Sequence, residues 1–171
     1  TLAPGDLLRY FTLPPILQQL QMSPYLDGLS YIERRVAVGG EAAVDQDLQD
    51  PPENSETILH PGPEADEPAE ITLGPPPAGG PVLDEGRVGE LVVTHWLGPR
   101  AARGWGGDRY VTWQDGARTC IAVDLVADSD ADREELAQAA RSWANAGGSD
   151  RTAASVTVNG VAVVRINGCT G

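Results

Sequence analysis

The sequence predicts an α+β fold: a helical N-terminal layer, a long Pro/Gly loop, then a small, mostly antiparallel sheet of about four strands packed by two helices. Three observations carry that expectation. Apolar residues in the first part of the chain recur with helical spacing. The interval 61–81 holds seven of the 14 prolines. Beyond it, short β-rich runs are punctuated by Asp115-Gly116 and Asn159-Gly160, two hairpin signals. The resulting division is a helical segment 1–60, a Pro/Gly-rich acidic loop 61–81 and an α+β segment 82–171, with the first and last expected to form one compact unit.

Each element has a local reason. Pro14-Pro15 suits the first turn of a helix. From Pro24 to Val38, Tyr25, Leu29, Ile32 and Val36 share one helix face, and Gly39-Gly40 ends that helix. A second short helix fits Glu41–Leu48, stopped by Asp50-Pro51-Pro52. Asn54 or Ser55 caps a third, closed by Pro61. The loop leaves room for a short strand at Glu70–Leu73. A helix then runs Val88–Leu97 to Gly98-Pro99, followed by a strand around Tyr110–Trp113 and the longest strand, Thr119–Val126. Ser129 caps a helix from Asp130 to about Asn145, with Leu136, Ala139, Ala140 and Trp143 facing inward. Ser155–Val158 and Val161–Ile166 close the chain as a hairpin.

Composition narrows the function classes. The formal charge is -13, all 12 basic residues are Arg, and there is no Lys, a bias expected of a GC-rich genome. Ten acids and no Arg lie between Val36 and Asp84. Such a surface repels phosphate backbones, so nucleic acid is excluded as an expected partner; solubility is the simplest role for the charge. No apolar run approaches the ~18 residues of a membrane span. The chain begins at Thr1 without Met or a visible signal peptide, so a processed or trimmed N-terminus is expected. Cys120 and Cys169 are either two buried thiols or a disulfide across the sheet; the disulfide is the expected reading and implies an oxidising compartment.

Several motifs invite a chemical reading. In NSETILHP (54–61), Glu56 and His60 are spaced i, i+4, which places them on one helix face. They are weak catalytic candidates, able to line an active site or support a metal from behind its ligands; the plainer alternative is a capped helix corner. Gly104, Trp105, Gly106, Gly107, Asp108, Arg109 and Tyr110 form GWGGDRY. Its spacing fits neither a P-loop nor a dinucleotide fingerprint. It reads as structure: Trp105 plugs a core edge, Gly106-Gly107 allow a tight or left-handed turn, and Asp108-Arg109 launch the strand with an ion pair or a backbone bond. His95 stands at a helix end, and Glu90 at i−5 is badly placed to pair with it. Asp124, Asp128, Asp130 and Asp132 cluster at a strand–helix junction, but DLVADSDADREE lacks the Gly of a calcium loop, and capping accounts for them.

Taken in order, several of these pieces resemble secreted, zincin-like neutral zinc metallopeptidase proteins of GC-rich bacteria. The similarity is carried by Pro24-Tyr25 with Gly28-Leu29, by Gly39-Gly40 with Ala43-Val44-Asp45, by Pro51-Pro52, Ser55-Glu56 and Ile58-Leu59-His60-Pro61, and by Gly89-Glu90 and GWGGDRY. It spans roughly residues 14 to 145. The resemblance implies a zinc held by a His-Glu-x-x-His helix and a downstream Glu, both upstream of Thr1. This chain has no such helix, and its two histidines are too few for a catalytic zinc, which needs about three protein ligands. No cofactor is therefore expected in this chain, and zinc only if the upstream helix exists. The expected role is a non-catalytic structural or protein-interaction domain of a secreted or cell-envelope protein, with another envelope protein as partner. The alternatives are a C-terminal fragment of an active zinc metallopeptidase, or an accessory subunit of an envelope complex.

Overall fold

The computed structural model of the chain describes residues 10–61, 68, 69, 71 and 80–170. The chain divides into two compact units, Thr1–Ala65 and Asp66–Gly171. The division falls inside the Pro/Gly-rich interval. The short strand anticipated at Glu70–Leu73 lies largely outside the described residues.

In the first unit, α1 spans Pro15–Gln49 and α2 spans Ser55–Leu59. Pro14 precedes the first turn, as its fixed φ favours. The helix runs through Pro24 instead of starting there. Ile16 to Met22 are good helix formers, so Pro24 costs one ladder bond within a helix already under way. Gly40, at φ 66 and ψ −163, breaks the helical path without a loop. The two helices expected on either side of Gly39-Gly40 are thus both present, joined at a kink. Tyr31 and Arg35 before the kink reach Asp47 after it. The buried positions of α1 are Ser23 and Tyr31, while the apolar helix face stands exposed: Tyr25 72 %, Leu29 57 %, Ile32 38 % and Val36 44 %. α2 starts on Asn54, whose Oδ1 accepts from the Thr57 amide at 2.9 Å; Asn54 and not Ser55 is the cap.

In the second unit, the described residues form β1 (Val82–Gly86), α3 (Gly89–Leu97), α4 (Pro99–Ala102), β2 (Trp105–Asp115), β3 (Arg118–Ala127), α5 (Asp130–Ala146), β4 (Arg151–Val158) and β5 (Val161–Cys169). The strands make one five-stranded antiparallel sheet, ordered β1-β2-β3-β5-β4. The strand beyond the expected four is β1, whose acidic, exposed sequence shows no alternation. β2, at 11 residues, is longer than the 10 of β3. The first hairpin turns on Gly116-Ala117, one residue later than expected, with Gly116 at φ 62. The second turns on Asn159-Gly160, both at positive φ as a type I′ turn requires.

The main core lies between the sheet and its helices. Val123, Leu125, Val164 and Ile166 meet Val93 of α3 and Leu136, Ala137 and Ala140 of α5, each at most 1 % exposed. Ser129 caps α5 by accepting from the Asp132 amide, and Ala139 and Trp143 pack partly buried against the same cluster. The opposite face carries a smaller cluster of Val111, Trp113, Cys120 and Ala122.

Candidate functional site

Around NSETILHP the geometry is that of a pinned helix corner. The His60 amide donates to the Glu56 carbonyl at 2.7 Å, so the pair is joined through backbone as a helix C-terminus. The Glu56 side chain is buried and His60 is exposed. A cation stands at this C-terminus: Arg34, whose Nη2 donates to the carbonyls of Ile58 at 3.0 Å and Leu59 at 3.3 Å. A guanidinium there meets both the unused carbonyls and the negative end of the helix dipole.

Beside this corner lies a groove of about 430 Å³ that contains Tyr31, Arg35, Asp47 and Thr57. Arg35 holds Asp47 with two hydrogen bonds, Nε to Oδ2 at 2.6 Å and Nη2 to Oδ1 at 2.7 Å, and the Tyr31 hydroxyl donates to Oδ2 at 2.7 Å. Asp47 is held below the ordinary carboxylate range, first by the Arg35 hydrogen bonds and then by Tyr31. Burial, together with the bond to Asp47, pushes the Tyr31 phenol up to about 12. Near neutral pH the three groups are therefore a fixed anion, a fixed cation and a neutral phenol. They clamp the Gly40 kink and are not poised to exchange protons, since general acid–base work needs a pKa near the operating pH.

GWGGDRY is a structural junction. Asp108, 0 % exposed, accepts from the amides of Val88 at 2.6 Å and Gly89 at 2.8 Å and from Trp105 Nε1 at 3.1 Å. It thereby caps α3 from a neighbouring strand, since Val88 makes no side-chain cap of its own. Burial raises the Asp108 pKa, and the two backbone bonds and Trp105 oppose that rise. Trp105 is 1 % exposed within the main core. Of the tight or left-handed turn expected at Gly106-Gly107, the positive φ is present at Gly107, but both residues lie inside β2, where the register against β3 shifts between Trp105 and Gly107. Gly107, at φ 136, lets the backbone of Ala69 approach so closely that a Cβ would meet its nitrogen at 2.9 Å. Gly104 is likewise filled from outside, by the Asp132 side chain. Arg109 reaches Glu85 at 3.7 Å, and the Tyr110 hydroxyl donates to Asp84 at 2.6 Å, so both tie β2 to β1.

The remaining candidates separate. Asp124 sits mid-strand, gripped by Arg165, away from the α5 N-terminus where Asp130 and Asp132 lie in the first turn. Among the described residues, no three His, Cys, Asp or Glu side chains converge as a metal group. His95 occupies the last turn of α3. Cys120 and Cys169 form a disulfide directly across β3 and β5. No described helix is long and apolar enough to cross a membrane. Sequence reasoning missed the Tyr31–Asp47–Arg35 clamp and the Asp124–Arg165 pair. Their only signal was two glycines between charged helices in the first case and opposite charges on two strands in the second.

Neither a curated protein nor a solved structure matches the chain. A family model does, over residues 81–170, which takes in the whole sheet with α3, α4 and α5. The chain belongs to that family, the domain of unknown function DUF8575.

Proposed function

We propose that this chain is a non-catalytic protein-interaction domain of a secreted or cell-envelope protein related to the zinc metallopeptidases, serving to hold another envelope protein. The observation that carries the reading is the exposed apolar stripe on α1. Met22, Tyr25, Leu29, Ile32 and Val36 follow one another at spacings of three and four and are 38–72 % exposed. That is the seam pattern of a helix that packs against another helix. The ionisable groups of the groove and of GWGGDRY are engaged in holding the fold, which also favours a scaffold role. The disulfide supports an oxidising compartment.

The test joins two measurements. A photo-crosslinker at position 29, introduced in the native host, is expected to give one discrete adduct with an envelope protein identified by mass spectrometry, and Ile32→Glu is expected to abolish it. Elemental analysis of protein purified without chelator is expected to find no stoichiometric zinc. One zinc per chain, lost in His60→Ala and accompanied by hydrolysis of an unfolded peptide, would make this an enzyme and overturn the scaffold reading.

A further inference from the structure

The two edges of the sheet are built differently. β1, at one edge, is five residues long, preceded by Pro81, interrupted by a register shift between Val82 and Asp84, and charged at Asp84 and Glu85. Those are the devices by which proteins keep an edge from pairing with another chain. β4, at the other edge, has none of them past its first residue. Its register with β5 runs unbroken from Arg151↔Gly168 to Val158↔Val161, and Thr152 to Val158 contains neither a charge nor a proline. Thr152, Ala154, Ser155 and Thr157 are exposed.

The hydrogen-bond phase of this edge follows from two observations. The Thr170 amide donates to the Thr119 carbonyl at 2.9 Å beside the Cys120↔Cys169 pair, so the even-numbered residues of β5 bond to β3 and the odd-numbered ones to β4. The two-residue turn at Asn159-Gly160 likewise makes Val158↔Val161 a bonded pair. Residues 152, 154, 156 and 158 therefore bond inward, and Ala153, Ser155 and Thr157 aim their backbone N–H and C=O groups away from the sheet. Arg151 agrees with this phase, since its amide turns to Gly148 and not to β5.

We propose that β4 pairs antiparallel with β4 of a second copy of this chain about Ser155, making one continuous sheet across a homodimer. A strand can pair with itself only if opposed residues share a face, and a twofold axis at Ser155 meets that condition: Ala153 faces Thr157 of the second copy and Ser155 faces its own counterpart. No like charges oppose one another, because Arg151 falls opposite Asn159. This self-complementarity selects a second copy over a foreign strand. A seam of about seven residues buries less than the ~1,200 Å² of a standard interface, so the dimer is weak. The net charge of -13 opposes association, so added salt strengthens it.

Sedimentation of the full chain from about 1 µM to about 1 mM, at two salt concentrations, tests this. The wild type is expected to pass from monomer to dimer within that range, more tightly at high salt. Ser155→Pro removes an outward N–H without touching the bonds to β5 and is expected to weaken association more than tenfold. Ser155→Lys and Ser155→Asp are each expected to stay monomeric, whereas their mixture re-forms a dimer, a rescue that also shows both variants folded. A wild type monomeric throughout, a dimer indifferent to these substitutions, or a Lys/Asp mixture that fails to associate would overturn the proposal.

Discussion

Arg165 on β5 grips Asp124 on β3 through two hydrogen bonds, Nε to Oδ1 at 2.7 Å and Nη2 to Oδ2 at 2.6 Å, directly across the strand pair. Asp124 is 0 % exposed. Removing its partner leaves a buried carboxylate uncompensated, which typically costs about 3–5 kcal/mol. Arg165→Ala is expected to lower the urea midpoint accordingly. Replacing both residues with valine is expected to recover most of that loss, because apolar cross-strand pairs suit a buried site. Equal midpoints for the single and double variants would show that the pair is not coupled.

Asp108→Ala removes the cap of α3 and three hydrogen bonds at once. A lost cap costs about 1 kcal/mol, and buried amides left without an acceptor add about 1–3 kcal/mol. Urea denaturation is the measurement, with near-UV circular dichroism reporting the loosened Trp105. The pH dependence has a definite sign. Burial raises the Asp108 pKa above its unfolded value, so its contribution is fully present below the unfolded carboxylate pKa and is lost as pH rises through the folded one. Asp108→Asn is expected to abolish that dependence while retaining part of the cap.

The Tyr31–Asp47–Arg35 clamp gives two pH windows in the first unit. The Tyr31 phenol, pushed up to about 12, contributes stability that is complete below ~10 and disappears as pH rises through about 12. Asp47, held low by Arg35, contributes stability present above ~3.9 and lost as pH falls through its depressed value. Ultraviolet titration of tyrosinate is expected to show a late-ionising component that Tyr31→Phe removes. An unchanged titration curve in that variant would place the late component elsewhere.

The disulfide links residues 49 apart in sequence. Loop-closure entropy then stabilises the fold by roughly 3–4 kcal/mol. A thiol assay on denatured, unreduced protein is expected to find no free cysteine. Cys120→Ser with Cys169→Ser is expected to remain folded at lower stability, since Cys120 sits in an apolar cluster that survives without the bond. Two titratable thiols in the unreduced protein would remove the main support for an oxidising compartment.

The sequence by itself determined the α+β class, the helix start at Pro14-Pro15, the cap at Ser129 and the hairpin at Asn159-Gly160, and it favoured the pairing of Cys120 with Cys169 over two buried thiols. These rest on local chemistry: positive φ, fixed φ, a hydroxyl beside free amides, and an even number of cysteines. It did not show that Gly106-Gly107 lie at a register shift within β2, because only the approach of Ala69 and the pairing with β3 reveal it. Nor did it show β1, whose exposed edge carries no alternation. The stripe of Tyr25, Leu29, Ile32 and Val36 was legible as a helix face, yet helical periodicity says which residues stand together and not whether they are buried. The roles of Asp47, Asp108 and Asp124 were decided by tertiary structure alone. A carboxylate carries no local mark of its partner, and the groups that fix these three come from across a kink, from the start of α3 some 20 residues earlier and from a strand 41 residues away.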